Sequence, residues 1–287
     1  MTSNATTPRP GSRTFGLMAV AATLTALLLA PASLWAQTPA PTQDAPQAPS
    51  QQTTAADQLH APFTALLQRH VNDGVVNYKG FAKEAPALDA YIAALGKAKP
   101  GTGAEAFAYW INAYNAFTLR LILDHFPKIE SIKDISSGDR WNAKRWFADG
   151  RKLSLDAIEH KILRPMGDPR IHFAINCASF SCPDLRDEAY LPSRLDAQLD
   201  DATQHFLANT AKGAKVVTES GFFGGKDHNL YVSSIFDWFE EDFDRWGGGV
   251  VAFVQQHGPD NVVSFIKTHR KDLDVETFDY DWSLNGG

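Results

Sequence analysis

The stretch "AEAFAYWINAYNAFTLRLILDHF", residues 104–126, decides how the chain folds. Phe107, Trp110, Ile111, Tyr114, Phe117, Leu121 and Ile122 recur at helical spacing and make one face, while Leu119 and Leu123 occupy another. A helix that is apolar nearly all round is a buried one, so the spacing predicts a central helix on which the other segments pack. Asn112 and Asn115 lie three apart on one side of it. A buried amide needs hydrogen-bond partners, so the two either bond neighbouring backbone or orient and line a site.

Outward from this helix, the sequence is mostly helical. "AADQLHAPFTALLQRHV" repeats apolar residues at Leu59, Phe63, Leu66 and Leu67, and "APALDAYIAALGKA" predicts a second helix that Pro100 and Gly101 stop. "LSLDAIEHKILRP" predicts a helix capped by Ser154, with Glu159 and His160 at the border of the face made by Leu155, Ile158 and Ile162. "RIHFAI" alternates Ile171, Phe173 and Ile175 against His172, Ala174 and Asn176, the pattern of a central strand. A helix follows through Leu195, Leu199, Ala202, Phe206 and Leu207, then a glycine-rich turn, the strand-like "LYVSS" and the helix "IFDWFEEDF" capped by Ser233 or Ser234. Two short helices are expected near residues 250–256 and 261–268, and the closing Phe278, Tyr280, Trp282 and Leu284 alternate like an edge strand. The class is α+β: a helix-rich single domain, residues 55–287, around a small mixed sheet.

Residues 1–36 read as a secretory signal peptide, with charge only at Arg9 and Arg13, an apolar run over 15–30, and small residues before a cleavage point after Ala36. That run is shorter than a membrane helix needs, so no integral span is expected after signal removal, and the expected location is periplasmic or secreted. Residues 37–54, rich in Gln, Pro, Thr and Ala, read as a disordered linker. Cleavage would remove two of the 27 basic residues and none of the 33 acidic ones, leaving a net charge of −8 and making nucleic acid an unsuitable partner.

Both cysteines of the chain lie in "IHFAINCASFSCPD", residues 171–184. In an exported protein a disulfide is one reading, but Cys177 and Cys182 in a helix would stand roughly 8 Å apart, so only a turn could bridge them. Metal ligation by His172, Cys177, Cys182 and His160 is a second reading. The C-x4-C spacing is loose and no second ligand pair supports it, so no metal or other cofactor is expected. The third is thiol catalysis, with Cys177 where the strand ends or Cys182 at a helix start before Pro183, His172 as base and Glu159 as orienter. Two free structural cysteines are the remaining possibility. Asn112, Asn115, His160 and Asn176 are candidate binding residues, and Asp237, Glu240, Glu241 and Asp242 read as a solvated acidic face.

"YWINAYNAFTLRLIL", "LSLDAIEHKILR", "HFAINCASFSCPDL", "VSSIFDWFEEDF" and "YDWSLN" occur in this order, and together they resemble the domain of unknown function 547 family over residues 55–285. That family occurs in bacteria, plants and some animals, and no activity defines it. The resemblance implies a shared fold and marks Asn112, Asn115, Glu159, His160, His172, Cys177 and Cys182 as positions of interest. A buried helix followed by a histidine-bearing strand is also similar to the layout of papain-like and transglutaminase-like folds, although the helix here carries no cysteine. Two functions are therefore expected in the alternative. One is a thiol-dependent hydrolase or acyl transferase acting on a small-molecule or peptide ligand. The other is a non-catalytic cell-envelope binding or assembly domain with a Cys177–Cys182 disulfide.

Overall fold

In the computed structural model, which describes residues 54–220 and 224–287, Thr54 starts the first helix through a capping box: its hydroxyl accepts from Asp57 N and the Asp57 carboxylate accepts from Thr54 N. The expected signal peptide lies outside the described residues, as does the expected linker save Thr54. Helix α1 (Ala55–His70) leads into a two-residue hairpin, β1 (Val71–Asn72) and β2 (Val75–Val76), and then into α2 (Tyr78–Lys83) and α3 (Ala85–Lys97). Helix α4 (Ala104–His125) is the central helix, and every residue from Phe107 to Leu119 is buried. A short α5 (Ser137–Arg140) and the hairpin of β3 (Trp146–Ala148) and β4 (Arg151–Leu153) follow. Among the described residues, no helix is long and apolar enough to cross a membrane.

The second half is built around a three-stranded mixed sheet. It comprises α6 (Leu155–Ile158), α7 (Leu195–Ala208), β5 (Ala214–Ser220), β6 (Lys226–Val232), α8 (Ser234–Trp238), α9 (Glu240–Gly247), α10 (Gly249–His257), α11 (Asp260–His269) and β7 (Leu273–Thr277). Strand β6 is central, antiparallel to β5 and parallel to β7. Helix-rich with small mixed sheets, the chain is an α+β protein, as the sequence predicts.

Four local expectations are corrected. The segment "RIHFAI" is not a strand: Asp168 and Pro169 start a 3-10 turn over Pro169–Phe173, with the Asp168 carboxylate accepting from Arg170 N. Its donors turn back on the segment itself, Ile171 N on Asp168 O and both Ala174 N and Ile175 N on Ile171 O, rather than toward a neighbouring strand. The helix after Ser154 loosens at Glu159 into a π turn, Glu159–Leu163, in which Arg164 N donates to Glu159 O. Such turns carry one extra residue and re-aim the side chains beside it. No helix begins at Cys182, and the aromatic tail after Thr277 is irregular, joined to the body by single bridges such as Leu284 with Ser179 and Gly286 with Val76.

Two apolar clusters meet at the 3-10 turn. Ile171 packs into the larger one around α4, while Phe173 packs with Phe206, Phe236, Phe243 and Phe253 in the smaller. His172 is therefore held in the seam between them. The amides of α4 tie loops to this core. Asn112 Nδ2 donates to Tyr190 O (2.7 Å) and its Oδ1 accepts from Tyr190 N (2.9 Å). Asn115 does the same for the cysteine segment, donating to Ala174 O (3.0 Å) and accepting from Asn176 N (2.8 Å). Replacing Asn112 by alanine leaves two buried peptide groups of Tyr190 without partners, so Asn112→Ala should lose about 3 kcal/mol of stability. A urea midpoint close to that of the parent protein would refute the clamp.

Candidate functional site

The turn between the cysteines is built from its own amides. Asn176 Oδ1 accepts from Ala178 N (2.9 Å), and its Nδ2 donates to Pro183 O (2.7 Å), closing the loop from both sides. Ala178 is buried with φ of +64°, a left-handed conformation that costs a non-glycine residue roughly 1–2 kcal/mol. From the other side Lys212, itself buried, donates through Nζ to Phe180 O (3.0 Å), Cys182 O (2.9 Å) and Asp184 Oδ1 (2.6 Å). The turn neither bridges its cysteines nor starts a helix: both are free thiols, and Cys177 N donates to Cys182 Sγ at 2.8 Å.

Cys177 is the more accessible of the two. Its Sγ lies 3.2 Å from the Tyr280 hydroxyl. Burial pushes the Cys177 thiol up, but the Cys182 and Tyr280 side chains beside it outweigh that effect and bring it down to about 7. Cys182 goes the other way, raised by burial and by the neighbouring Cys177. Of the pair, Cys177 is the one set up to carry a thiolate.

His172 is found in an arrangement that the sequence does not announce. Its Nε2 donates to Asp242 Oδ2 at 2.7 Å, and its ring stacks on Phe239 with centroids 4.1 Å apart. Asp242 also accepts from Arg164 Nε (2.6 Å) and Nη2 (3.1 Å) and from Arg245 Nη2. Burial opposes the Asp242 charge, yet these partners hold its carboxyl well below the usual carboxylate range. His172 is pushed down by burial, with Asp242 pulling against it. With its proton on Nε2, His172 presents at Nδ1 a buried lone pair that no described residue satisfies. The expected orienter, Glu159, is not the partner of His172. Glu159 Oε2 instead accepts from the Tyr114 hydroxyl at 3.1 Å, and burial raises its carboxyl above the ordinary value. His160 is exposed at the edge of the site, its Nδ1 accepting from Arg164 Nη1 at 3.0 Å.

Glu159, His160, His172, Cys177 and Cys182 line one cavity of about 230 Å³. Its walls are largely aromatic. Trp141 and Phe239 contribute, as does a packed wall of Trp238, Tyr280 and Trp282 with centroids 4.5 to 5.6 Å apart. Asn112, Asn115 and Asn176 do not line it; they hold the segments that do. Sequence reasoning missed Asp242, Tyr114 and Tyr280. A signal for Asp242 was present, because Phe239, Asp242, Phe243 and Trp246 follow helical spacing and place the acid on the apolar face.

The model of the family described as "Protein of unknown function, DUF547" matches residues 101–207 and supports the resemblance over that region. The match covers α4, the Glu159 turn, the 3-10 turn and both cysteines, and it leaves out Asp242 and Tyr280. No curated protein and no solved structure matches the chain.

Asp242→Asn removes the charge that two guanidinium groups and His172 share. Because both arginines reach solvent, the loss should be about 2 kcal/mol, below the 3–5 kcal/mol typical of a broken buried pair. Asp242 and His172 each bind fewer protons folded than unfolded, so both contribute stability that is lost as pH falls. For His172 that loss begins below about 6.5, and for Asp242 below about 4. Urea midpoints between pH 7 and pH 3 should therefore fall for the parent protein, with the lower part of the fall smaller in Asp242→Asn, where Asp57, Glu84, Glu188 and Asp281, also held below their ordinary values, still contribute. A parallel pair of curves would rule out this role for Asp242.

Proposed function

We propose that the protein is a thiol-dependent hydrolase or acyl transferase with Cys177 as nucleophile. The observation that carries the reading is one cavity lined by a low-pKa thiol and by a histidine whose Nε2 is fixed on a carboxylate and whose Nδ1 has no partner among the described residues. Nucleophile, base and orienting acid are the parts that covalent acyl transfer requires.

In this mechanism His172 Nδ1 takes the Cys177 proton, and Cys177 Sγ attacks the carbonyl carbon of the substrate. The bond to the leaving group breaks as His172 returns the proton to it, leaving an acyl thioester on Cys177. Water, or a second nucleophile in acyl transfer, gives its proton to His172 and attacks the thioester carbonyl; the C–S bond breaks, the acyl product leaves, and His172 returns the proton to the Cys177 thiolate. Asp242 keeps His172 in the productive tautomer and stabilises its charged form. Glu159, protonated over a wider pH range than an exposed glutamate, is a second donor at the rim. The aromatic walls favour an acyl group with apolar or aromatic bulk, on a small molecule or peptide. Export through residues 1–36 to a periplasmic or secreted location belongs to the same proposal, and Cys177 must then stay reduced there.

Intact mass after incubation with an activated acyl ester should show one acyl group per chain, absent in Cys177→Ser and retained in Cys182→Ser. Absence of any adduct at Cys177, in protein whose thiols still react with iodoacetamide, would sink the enzyme and leave the non-catalytic binding domain. In a second test, the iodoacetamide rate should rise with pH around a midpoint near 7. Tyr280→Phe removes a donor to the thiolate, so it should move that midpoint upward and slow the reaction at neutral pH. An unchanged midpoint would remove Tyr280 from the site.

A further inference from the structure

We infer that His228, His269 and Asp272 form a site for one borderline divalent transition ion of the zinc class, separate from the thiol cavity. The three come from different elements: His228 from the central strand β6, His269 from the end of α11, and Asp272 from the turn into β7. One donor atom from each lies within 4.8 Å of the others. His228 Nε2 is 3.6 Å from Asp272 Oδ2, too long for a hydrogen bond. It is close to the ligand separation of about 3.3 Å that bonds of ~2.0 Å make at a tetrahedral centre.

The surroundings fit ligation. Thr218 is the direct cross-strand partner of His228, and its hydroxyl lies 3.1 Å from His228 Nδ1. Donation of Nδ1–H to that hydroxyl leaves the Nε2 lone pair facing Asp272, the outer support typical of a metal-bound imidazole. Asp272 N donates to His269 O at 3.0 Å, so one tight turn sets two of the three ligands. The two imidazoles stack with centroids 3.6 Å apart and Phe265 packs on both, so binding one ion requires the His269 ring, at the end of α11, to swing off His228 until the two ring lone pairs converge. Asp272 is exposed, which leaves a fourth position for water. Two imidazoles and one carboxylate suit zinc, copper or nickel, whereas magnesium and calcium require oxygen ligands. The residues lie beyond the region that the family model matches.

Chelator-treated full-length protein should be titrated with Zn2+ by calorimetry and with Co2+ by absorbance. One ion per chain is expected, and the cobalt form should show visible d–d bands without a sulfur-to-cobalt charge-transfer band. His269→Gln and Asp272→Asn should each weaken binding by at least about tenfold, with Thr218→Val weakening it by roughly tenfold through the lost support. The Cys177→Ser/Cys182→Ser double variant should keep the full stoichiometry. Circular dichroism establishes that each variant is folded. No Zn2+ binding by the parent protein, parent-like binding by His269→Gln, or loss of the ion in the double serine variant would each overturn the assignment.

Discussion

Two amides buried in α4 set the constraint on which the rest depends. The backbone of a helix interior or a paired strand has no spare donors and acceptors, so a buried asparagine must find irregular backbone. Asn112 finds Tyr190, and Asn115 finds Ala174 and Asn176. The cysteine turn is thereby brought into the core rather than left on the surface, and its direction is fixed one residue before Cys177. Releasing either loop would leave peptide groups dry and unpaired, at a cost comparable to a large part of the stability of a domain.

From that fixed point the site is assembled by tension between burial and compensation. The π turn places Glu159 beside Tyr114, the 3-10 turn places His172 between two apolar clusters, and the irregular tail brings Tyr280 to Cys177. Each group is dry enough to be perturbed, and each has between one and three specific partners that decide the direction. Asp242 has the most partners and stays charged, Cys177 is lowered, and Cys182 and Glu159 are raised. Of these groups Glu159, Cys177 and Cys182 line one cavity, and Asp242 stands behind it, bonded to His172.

Local misreadings had physical causes. Ile171, Phe173 and Ile175 alternate in sequence, but the Asp168–Pro169 start and the ties of Arg170 to Asp168, Asp196 and Asp200 make a turn pinned to α7 the better solution. Asp242 looked solvated because three other acids surround it, and acids are most often exposed. Tyr280 looked like a packing residue because its ring does pack, and only its hydroxyl serves the thiol.

The sequence by itself determined the buried helix, the helices flanking it and the α+β class, and it marked eight candidate residues, of which Cys177, Cys182, His172, Glu159 and His160 line the cavity and Asn112, Asn115 and Asn176 do not. These depend on periodicity and on residue chemistry, which are local. Tertiary structure alone decided which groups pair: His172 with Asp242 across 70 residues, Cys177 with Tyr280 across 103. It also decided that the cysteines remain free and that the segment around His172, expected as a strand, forms a turn. Such choices follow from which dry polar groups meet when the core closes, and no short window of sequence contains both partners.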